Sequence, residues 1–398
     1  MKRILFVDDE SRVLDGLRRI LYEERKHWDM QFAAGGEEAL QACEAGRFDV
    51  VVTDMRMPGM NGIALLSQLR DRYPSTARIV LSGYSEAGLA TQVVSLAHRF
   101  LVKPCSSAEI RSTIERVCSL QDVLGTTEIR RVVGAVGELP SLSNTYTSLT
   151  RAVGDPNATI ERVAAIIEKD VAMTAKVLQL ANSAFFGLGQ KVTTLENATT
   201  YLGMETLKNL AFVSEAFRVF VPDRRIPQSV CTSMQRHAQH TAAIAGLLPV
   251  GEKARDEAVV SALLHDIGKL FLASAMPEEF CLSLARANER KCKPYQAEEE
   301  LLGTSHAEIG AYLLGLWGLP DLVVDAIAHH HRPLRIPHTE FDSGMVVFVA
   351  DLLAHEEDSH LRGSTEATID EFDRACLEEL GLLSRLTEFR EVARQRLQ

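Results

Sequence analysis

Apolar residues gather in five short runs over the first hundred positions, at 3–7, 30–33, 49–53, 78–81 and 99–102. Between runs the apolar period lengthens to that of a helix. Residues 11–23 put Val13, Leu14, Leu17, Ile20 and Leu21 on one face, and residues 62–73 do the same with Ile63, Leu65, Leu66 and Leu69. Val50, Val51 and Val52 follow one another without a polar residue, the signature of a strand buried on both faces. Strand and helix alternating five times predict an α/β doubly wound (βα)5 fold, because parallel strands need crossover connections.

The pattern then changes. Residues 106–124 read as a helix with Ile110, Ile114, Val117, Leu120 and Leu124 three or four apart. That stripe outruns what the first fold needs, so its end is expected to join a dimer contact or the next domain. Gly134, Gly137 and Pro140 predict a break. Beyond it strand signals vanish, and helical periods recur at 159–168, 170–182, 195–201, 206–217, 233–248, 256–264, 305–316, 322–330 and 345–355. Turns are expected at Asp155-Pro156, at Phe186-Gly187-Leu188-Gly189 and at Leu202-Gly203-Met204. An all-α domain of ten or more helices follows. The expected division is a first domain at 1–121, a helical connector at 122–138, an all-α domain at 139–355 and a helical tail at 356–398, whose Leu377, Leu380, Leu382, Leu383 and Leu386 should pack back.

Composition narrows the function classes. A chain of 398 residues with 46% hydrophobic content is large enough for two or three full cores. The net charge of −11 argues against a nucleic-acid partner. Seven cysteines, at 43, 105, 118, 231, 281, 292 and 376, form no C-x-x-C pair and suit reduced thiols. The N-terminal strand runs straight into two aspartates, unlike a secretory signal, and no apolar run approaches the roughly 18 residues of a membrane span. A soluble, cytoplasmic protein without a membrane partner is expected.

The ends of the predicted strands carry the chemistry. The first ends in Asp8-Asp9-Glu10, the third in Asp54, the fourth in Ser82-Gly83 and the fifth in Lys103-Pro104. Pro58, Gly59 and Gly62 force a loop immediately after Asp54. In an open parallel sheet these ends share one edge, where ligands bind. Carboxylates converging there repel unless a cation joins them, and hard oxygen ligands with room for water suit Mg²⁺. A lysine and a hydroxyl on the other strands add the charge and hydrogen bond that a phosphoryl group needs.

A second concentration of chemistry lies in the helical part, where seven of the twelve histidines fall between His237 and His331. His265-Asp266 closes the apolar run from Ala258 to Leu264, and burying two such groups unpaired is costly. His240, His306, His330, His331 and Asp351 also sit among apolar neighbours. One such histidine is more often a satisfied core residue. The set is what a metal site inside a helical bundle requires.

Residues 1 to about 120 resemble the receiver domain of two-component response regulators. The resemblance rests on Val7-Asp8-Asp9-Glu10, on Asp54-Met55-Arg56-Met57-Pro58-Gly59-Met60-Asn61-Gly62, on Leu81-Ser82-Gly83-Tyr84 and on Phe100-Leu101-Val102-Lys103-Pro104. It implies that Asp54 takes a phosphoryl group from a sensor histidine kinase or phosphotransfer protein. It also implies Mg²⁺ held by Asp9, Asp54 and the Arg56 carbonyl, with Asp8 acting through water. Lys103 would hold the phosphoryl group while Ser82 and Phe100 switch. Residues 139–355 resemble the HDOD domain, a relative of the HD metal-dependent phosphohydrolases. The matching stretches include Leu180-Ala181-Asn182-Ser183-Ala184-Phe185-Phe186-Gly187, His265-Asp266-Ile267-Gly268-Lys269, Ser305-His306-Ala307-Glu308-Ile309-Gly310 and His330-His331-Arg332-Pro333. The resemblance implies His240, His265, Asp266, His306, His330, His331 and Asp351 as ligands for one or two Fe, Mn or Zn ions. Lys269 would lie near a phosphate. Arg332-Pro333-Leu334-Arg335 departs from the glutamate and Gly-Tyr-Pro loop of the branch that cleaves cyclic-di-GMP, which argues against that reaction. The expected function is a phosphorylation switch whose helical output binds a protein partner, a second copy or a small ligand; the alternative is a phosphorylation-gated, metal-dependent phosphohydrolase. No helix-turn-helix or basic stripe supports a DNA-binding regulator.

Overall fold

The structure is a computed structural model that describes residues 1–83, 93, 96–123, 127–135, 148–149, 152, 155, 158–182, 192–212, 226–338, 340–361 and 369–396. Five strands, β1 Lys2–Val7, β2 Trp28–Ala33, β3 Val50–Asp54, β4 Ala77–Gly83 and β5 Arg99–Lys103, form one parallel sheet in the order β2-β1-β3-β4-β5. The three valines of β3 are completely buried because each face of the sheet has its own core. Val50 and Val52 pack with Ile4, Phe6 and Ile79, while Val51 packs with Leu5, Val7 and Leu65 on the other side. The doubly wound expectation is met.

Helices α1 Ser11–Ile20, α2 Gly36–Ala45 and α3 Gly62–Arg72 flank this sheet. The helix expected over 11–23 is shorter than its apolar period: the chain tightens into a 3-10 turn at Tyr22–Lys26, burying Leu14, Leu17 and Leu21 but leaving Ile20 exposed. At α3 the Asn61 side chain caps the helix by accepting from the Ala64 amide at 2.9 Å. Gly62 is required there, since a Cβ would lie 2.4 Å from the Asp54 carbonyl oxygen. The turn after Asp54 is therefore wound against the strand that delivers it.

Helices α4 Ser107–Val123 and α5 Thr127–Ala135 follow. The expected boundary at 121 cuts through α4, and Gly134 lies inside α5 rather than breaking it. The reason is close packing. A Cβ on Gly134 would fall 1.9 Å from the Pro74 carbonyl oxygen, and the buried Arg78 guanidinium donates to the Gly134 carbonyl at 2.8 Å. Gly137 and Pro140 lie outside the described residues.

All further described elements are helical: α6 Ile160–Ile167, α7 Val171–Ala181, α8 Leu195–Phe212, α9 Gln228–Leu247, α10 Glu252–Leu264, α11 Ile267–Ala275, α12 Pro277–Arg290, α13 Pro294–Leu302, α14 His306–Leu316, α15 Asp321–Ala328, α16 Ser343–Leu361, α17 Glu371–Glu379 and α18 Leu386–Arg396. The expected turn at Leu202-Gly203-Met204 survives as a kink in α8, where Gly203 has φ of 71°. The turn at 186–189 lies outside the described residues. The boundary at 355 falls inside α16. Leu377, Leu382, Leu386 and Phe389 are buried in the shared helical core, so the tail completes that core. Residues Glu252–Ala275 are long and apolar enough by composition to cross a membrane, and 78% of their most apolar window is buried in the fold. The sequence reading missed this length because His265 and Asp266 interrupt the run.

The two halves meet along α4. A Cβ on Gly315 of α14 would lie 2.5 Å from Leu120, and Arg116 pairs with Asp321 at 3.1 Å and Asp325 at 3.4 Å on α15. The long stripe thus reaches the next domain, one of its two expected destinations.

Candidate functional site

Sheet topology gathers the first group of residues. Lys103, at the end of β5, donates to Asp8 Oδ2 at 2.7 Å and also to Asp54 Oδ1. The Arg56 amide donates to Asp54 Oδ2 at 2.6 Å, so the turn after β3 closes over its own carboxylate. The Glu10 amide holds Asp8 Oδ1 at 2.9 Å. Asp8 is buried, Asp54 half-buried, and Asp9 exposed beside them. Burial pushes the Asp54 carboxyl up, and the hydrogen bond from Lys103 opposes that shift. Burial also works against the Lys103 charge, but Asp54 and Asp8 outweigh it and hold its proton above the ordinary lysine range. Ser82 pairs with Val102 across the β4–β5 ladder; its side chain lies outside the described residues. Phe100 is half-buried, packed on the cluster that holds Val80 and Leu66.

The second group comes from six separate places on the helices. His237 lies on α9, His265 caps α10, Asp266 opens α11, His306 opens α14, His330 and His331 follow α15, and Asp351 lies on α16. Two glycines permit the assembly. A Cβ on Gly268 would sit 1.9 Å from the His306 carbonyl oxygen, and Gly310 faces Gly268 from α14, so α11 and α14 cross at backbone contact. The start of α14 is fixed by Ser305 and Glu308 in a capping box.

Three imidazoles are oriented alike. Nδ1 of His265 lies 2.6 Å from the Ala262 carbonyl oxygen, that of His330 2.7 Å from the Ile327 carbonyl oxygen, and that of His306 2.6 Å from the Glu298 carboxylate. An N–H at each Nδ1 leaves Nε2 as a lone pair turned inward, the arrangement that metal-binding histidines adopt. Asp266 is where they point, with Oδ1 3.3 Å from His306 Nε2 and 3.8 Å from His330 Nε2, and Oδ2 3.4 Å from His265 Nε2. His331 Nε2 lies 3.0 Å from His306 Nε2. Among the described residues, His265 Nε2, His330 Nε2 and Asp266 Oδ1 are buried without a hydrogen-bond partner. Three overlapping triads bring their ligand atoms within 4.8 Å of one another: His306, His330 and His331; His237, His265 and Asp351; His265, Asp266 and His330. Orphaned lone pairs and carboxylates at that spacing fit a transition-metal cation.

Of the expected ligands, His240 does not join. It pairs with Glu357 at 2.9 Å, while His237, three residues earlier, takes the inward position 2.9 Å from Asp351 Oδ1. Reasoning from sequence also missed Glu298 and His355; the latter stacks on His237 with ring centroids 4.3 Å apart. Spacing to Asp351, one helical turn, could have found His355. Lys269 Nζ is 2.6 Å from Asp266 Oδ2 and lines a cleft of about 320 Å³ with His237, Asp266, His355 and Glu298, walled by Val230, Met234, Phe280 and Leu284.

Protons take up part of the charge. Burial disfavours a charged His265, but Asp266 and Asp351 prevail and lift it to about 10, so without a cation its Nε2 holds a proton that a bound metal would displace. Burial and the neighbouring His265 and His306 push His330 down to about 3, and burial takes His355 to about 4. Burial raises Asp266, and His265 and Lys269 more than reverse it.

Comparison with known proteins adds the family. The response regulator receiver domain matches residues 4–115, and the HDOD domain matches residues 139–333. An uncharacterised protein of Treponema pallidum is 28% identical over 214 residues, 52% of this chain and 40% of that protein. The response regulator UvrY of Escherichia coli O157:H7 is 33% identical over 122 residues, 30% of this chain and 56% of UvrY. The chain thus spans less than two thirds of either relative. The crystal structure of the MmoQ response regulator from Methylococcus capsulatus covers 64% of this chain and 98% of its own, at 22% identity and a TM-score of 0.47. Two consecutive domain matches and the parallel sheet followed by helices agree: the chain is a response regulator that joins an N-terminal receiver domain to a C-terminal HDOD domain.

Proposed function

We propose that Asp54 is the phosphoryl acceptor of a switch that acts on the HDOD domain, with a sensor histidine kinase or phosphotransfer protein as donor. The observation that carries this reading is Lys103 bridging Asp8 and Asp54 across three strand ends. A bound Mg²⁺ would supply positive charge against both the carboxylates and the incoming phosphoryl oxygens. Asp8, Asp9, Asp54 and the Arg56 carbonyl are the groups that would hold it, and Lys103 would move its hydrogen bond from Asp54 to the phosphoryl group. Ser82 and Phe100 would answer the added charge of about −2. The route to the output runs along α4, whose Leu120 and Arg116 touch α14 and α15, the helices that carry His306 and precede His330. The output then acts on a partner, a second copy or a ligand. Incubation with acetyl phosphate should label the wild type and not Asp54→Ala; labelling of both would refute the assignment.

A second reading is favoured by the orphaned Nε2 atoms of His265 and His330: a metal-dependent phosphohydrolase gated by the receiver. There a cation would supply Lewis acidity at the cleft floor. Lys269 would hold a phosphate oxygen, and Glu298 would keep His306 in the tautomer that presents Nε2. One or two equivalents of Fe, Mn or Zn in the purified wild type, absent from the His265→Ala/Asp266→Ala variant, would support it. Equal metal content in both would return these histidines to a structural role.

A further inference from the structure

A second cleft opens at the N-terminal end of α10, the end away from His265, between the start of that helix, α15 and the segment before α16. Its volume is about 700 Å³, within the range of about 300–1,000 Å³ typical of small-molecule sites. Its lining is of two kinds. Leu322, Ile336 and Phe341 supply apolar wall, with Leu322 56% exposed, while Glu257, Asp325 and Glu340 supply negative charge. Glu257 is the unusual member: it is 6% exposed, and among the described residues nothing donates a hydrogen bond to its carboxylate and no ion pair reaches it. Lys253, one turn earlier on α10, also lines the cleft but is not ion-paired with Glu257. The side chain is largely buried while its carboxylate oxygens open on the cleft, so a cation entering there would meet a carboxylate that no described residue pairs. Burial pushes the Glu257 carboxyl up, Lys253 draws it down, and Asp256 adds to the rise.

We propose that this cleft is a binding site for a small organic cation, a primary amine or guanidinium on an apolar body, with Glu257 receiving the charged head and Leu322, Ile336 and Phe341 the body. Glu340 and Asp325 flank the head. Asp325 also receives Arg116 from α4, so the site borders the joint between the two domains. The assignment does not depend on the metal cluster or on Asp54.

The test uses the full-length protein, with tryptamine as probe and tryptophol, its uncharged counterpart, as control. Calorimetry should show saturable one-to-one binding of tryptamine, weakened about tenfold or more for tryptophol and in Glu257→Gln, because the charge-assisted contact is lost. Glu340→Gln should weaken binding about two- to threefold, as a more exposed charge does. Leu322→Lys, at the exposed mouth, places a tethered cation over the site without touching the core and should abolish binding even if Glu257→Gln folds poorly. The proposal is overturned if tryptamine and tryptophol bind alike, if Glu257→Gln binds tryptamine as the wild type does, or if no amine binds. It is overturned equally if Mg²⁺ or Ca²⁺ alone binds at Glu257 and excludes tryptamine.

Discussion

The two charged centres of this protein are built in opposite ways. At the receiver's sheet edge, strands β1, β3 and β5 deliver Asp8, Asp54 and Lys103 to the same place, and Lys103 satisfies both carboxylates. In the helical half, six helices or helix ends contribute imidazoles and carboxylates to a centre that stays incompletely satisfied, with His265 Nε2, His330 Nε2 and Asp266 Oδ1 lacking hydrogen-bond partners among the described residues. The first centre can exist without a ligand because both carboxylates have a hydrogen-bond donor in Lys103, although one lysine leaves them with a net negative charge. The second holds buried polar atoms without hydrogen bonds, a cost that a cation displacing the His265 proton would remove. Self-sufficiency suits a site that is charged and discharged repeatedly, whereas an unsatisfied cluster suits one that holds its ligand.

Removing one group at each centre tests that contrast most sharply. Asp54→Ala should abolish phosphoryl labelling and leave the thermal transition close to that of the wild type, since Lys103 keeps Asp8 as a partner. At the helical centre His237→Ala should lower metal content by elemental analysis, while His240→Ala should leave it unchanged, because His240 pairs with Glu357 outside the triads. Equal losses in the two variants would undo the distinction drawn between these neighbours. The joint between the centres comes next. Gly315→Val would drive a side chain into Leu120 and should cost about 1–3 kcal/mol in denaturant unfolding, against less than about 1 kcal/mol for Arg116→Ala, whose partners are largely exposed.

The smallest effect concerns Glu257. Its carboxyl is raised in the folded protein, so folding favours the protonated form. Well below the ordinary glutamate range both states hold the proton, and Glu257→Gln should melt with the wild type. As pH rises the unfolded chain ionises first, so the variant should become the more stable protein near neutral pH. A thermal series between pH 4 and 7 reads the divergence. No divergence would mean that Glu257 has a partner.

Legibility in the sequence follows the same division. Strand-end residues were readable because a parallel sheet sends each carboxyl end to one edge whatever its loops do. All five runs became strands, and Asp8, Asp54 and Lys103 met as expected. A helix gives less: residues three apart share a face, and only packing decides which of them reaches the centre. His240 was therefore expected where His237 stands, and Glu298 could not be foreseen, since nothing in its own helix marks it as the partner of His306. Glycines misled in the other direction. Gly134 looked like a break and proved to be a close contact with Pro74.

The crossing of α11 and α14 carries a last consequence. With Gly268 against the His306 carbonyl and Gly310 against Gly268, main chain meets main chain where the helices that hold Asp266 and His306 cross, beside the Ile267 side chain, so backbone radii set their closest approach there. At that contact there is no Cβ to trim, and any side chain added to Gly268 would widen the gap. Gly268 thus works as the fixed jaw of a caliper, and the width of the gap is inherited by whatever the centre grips.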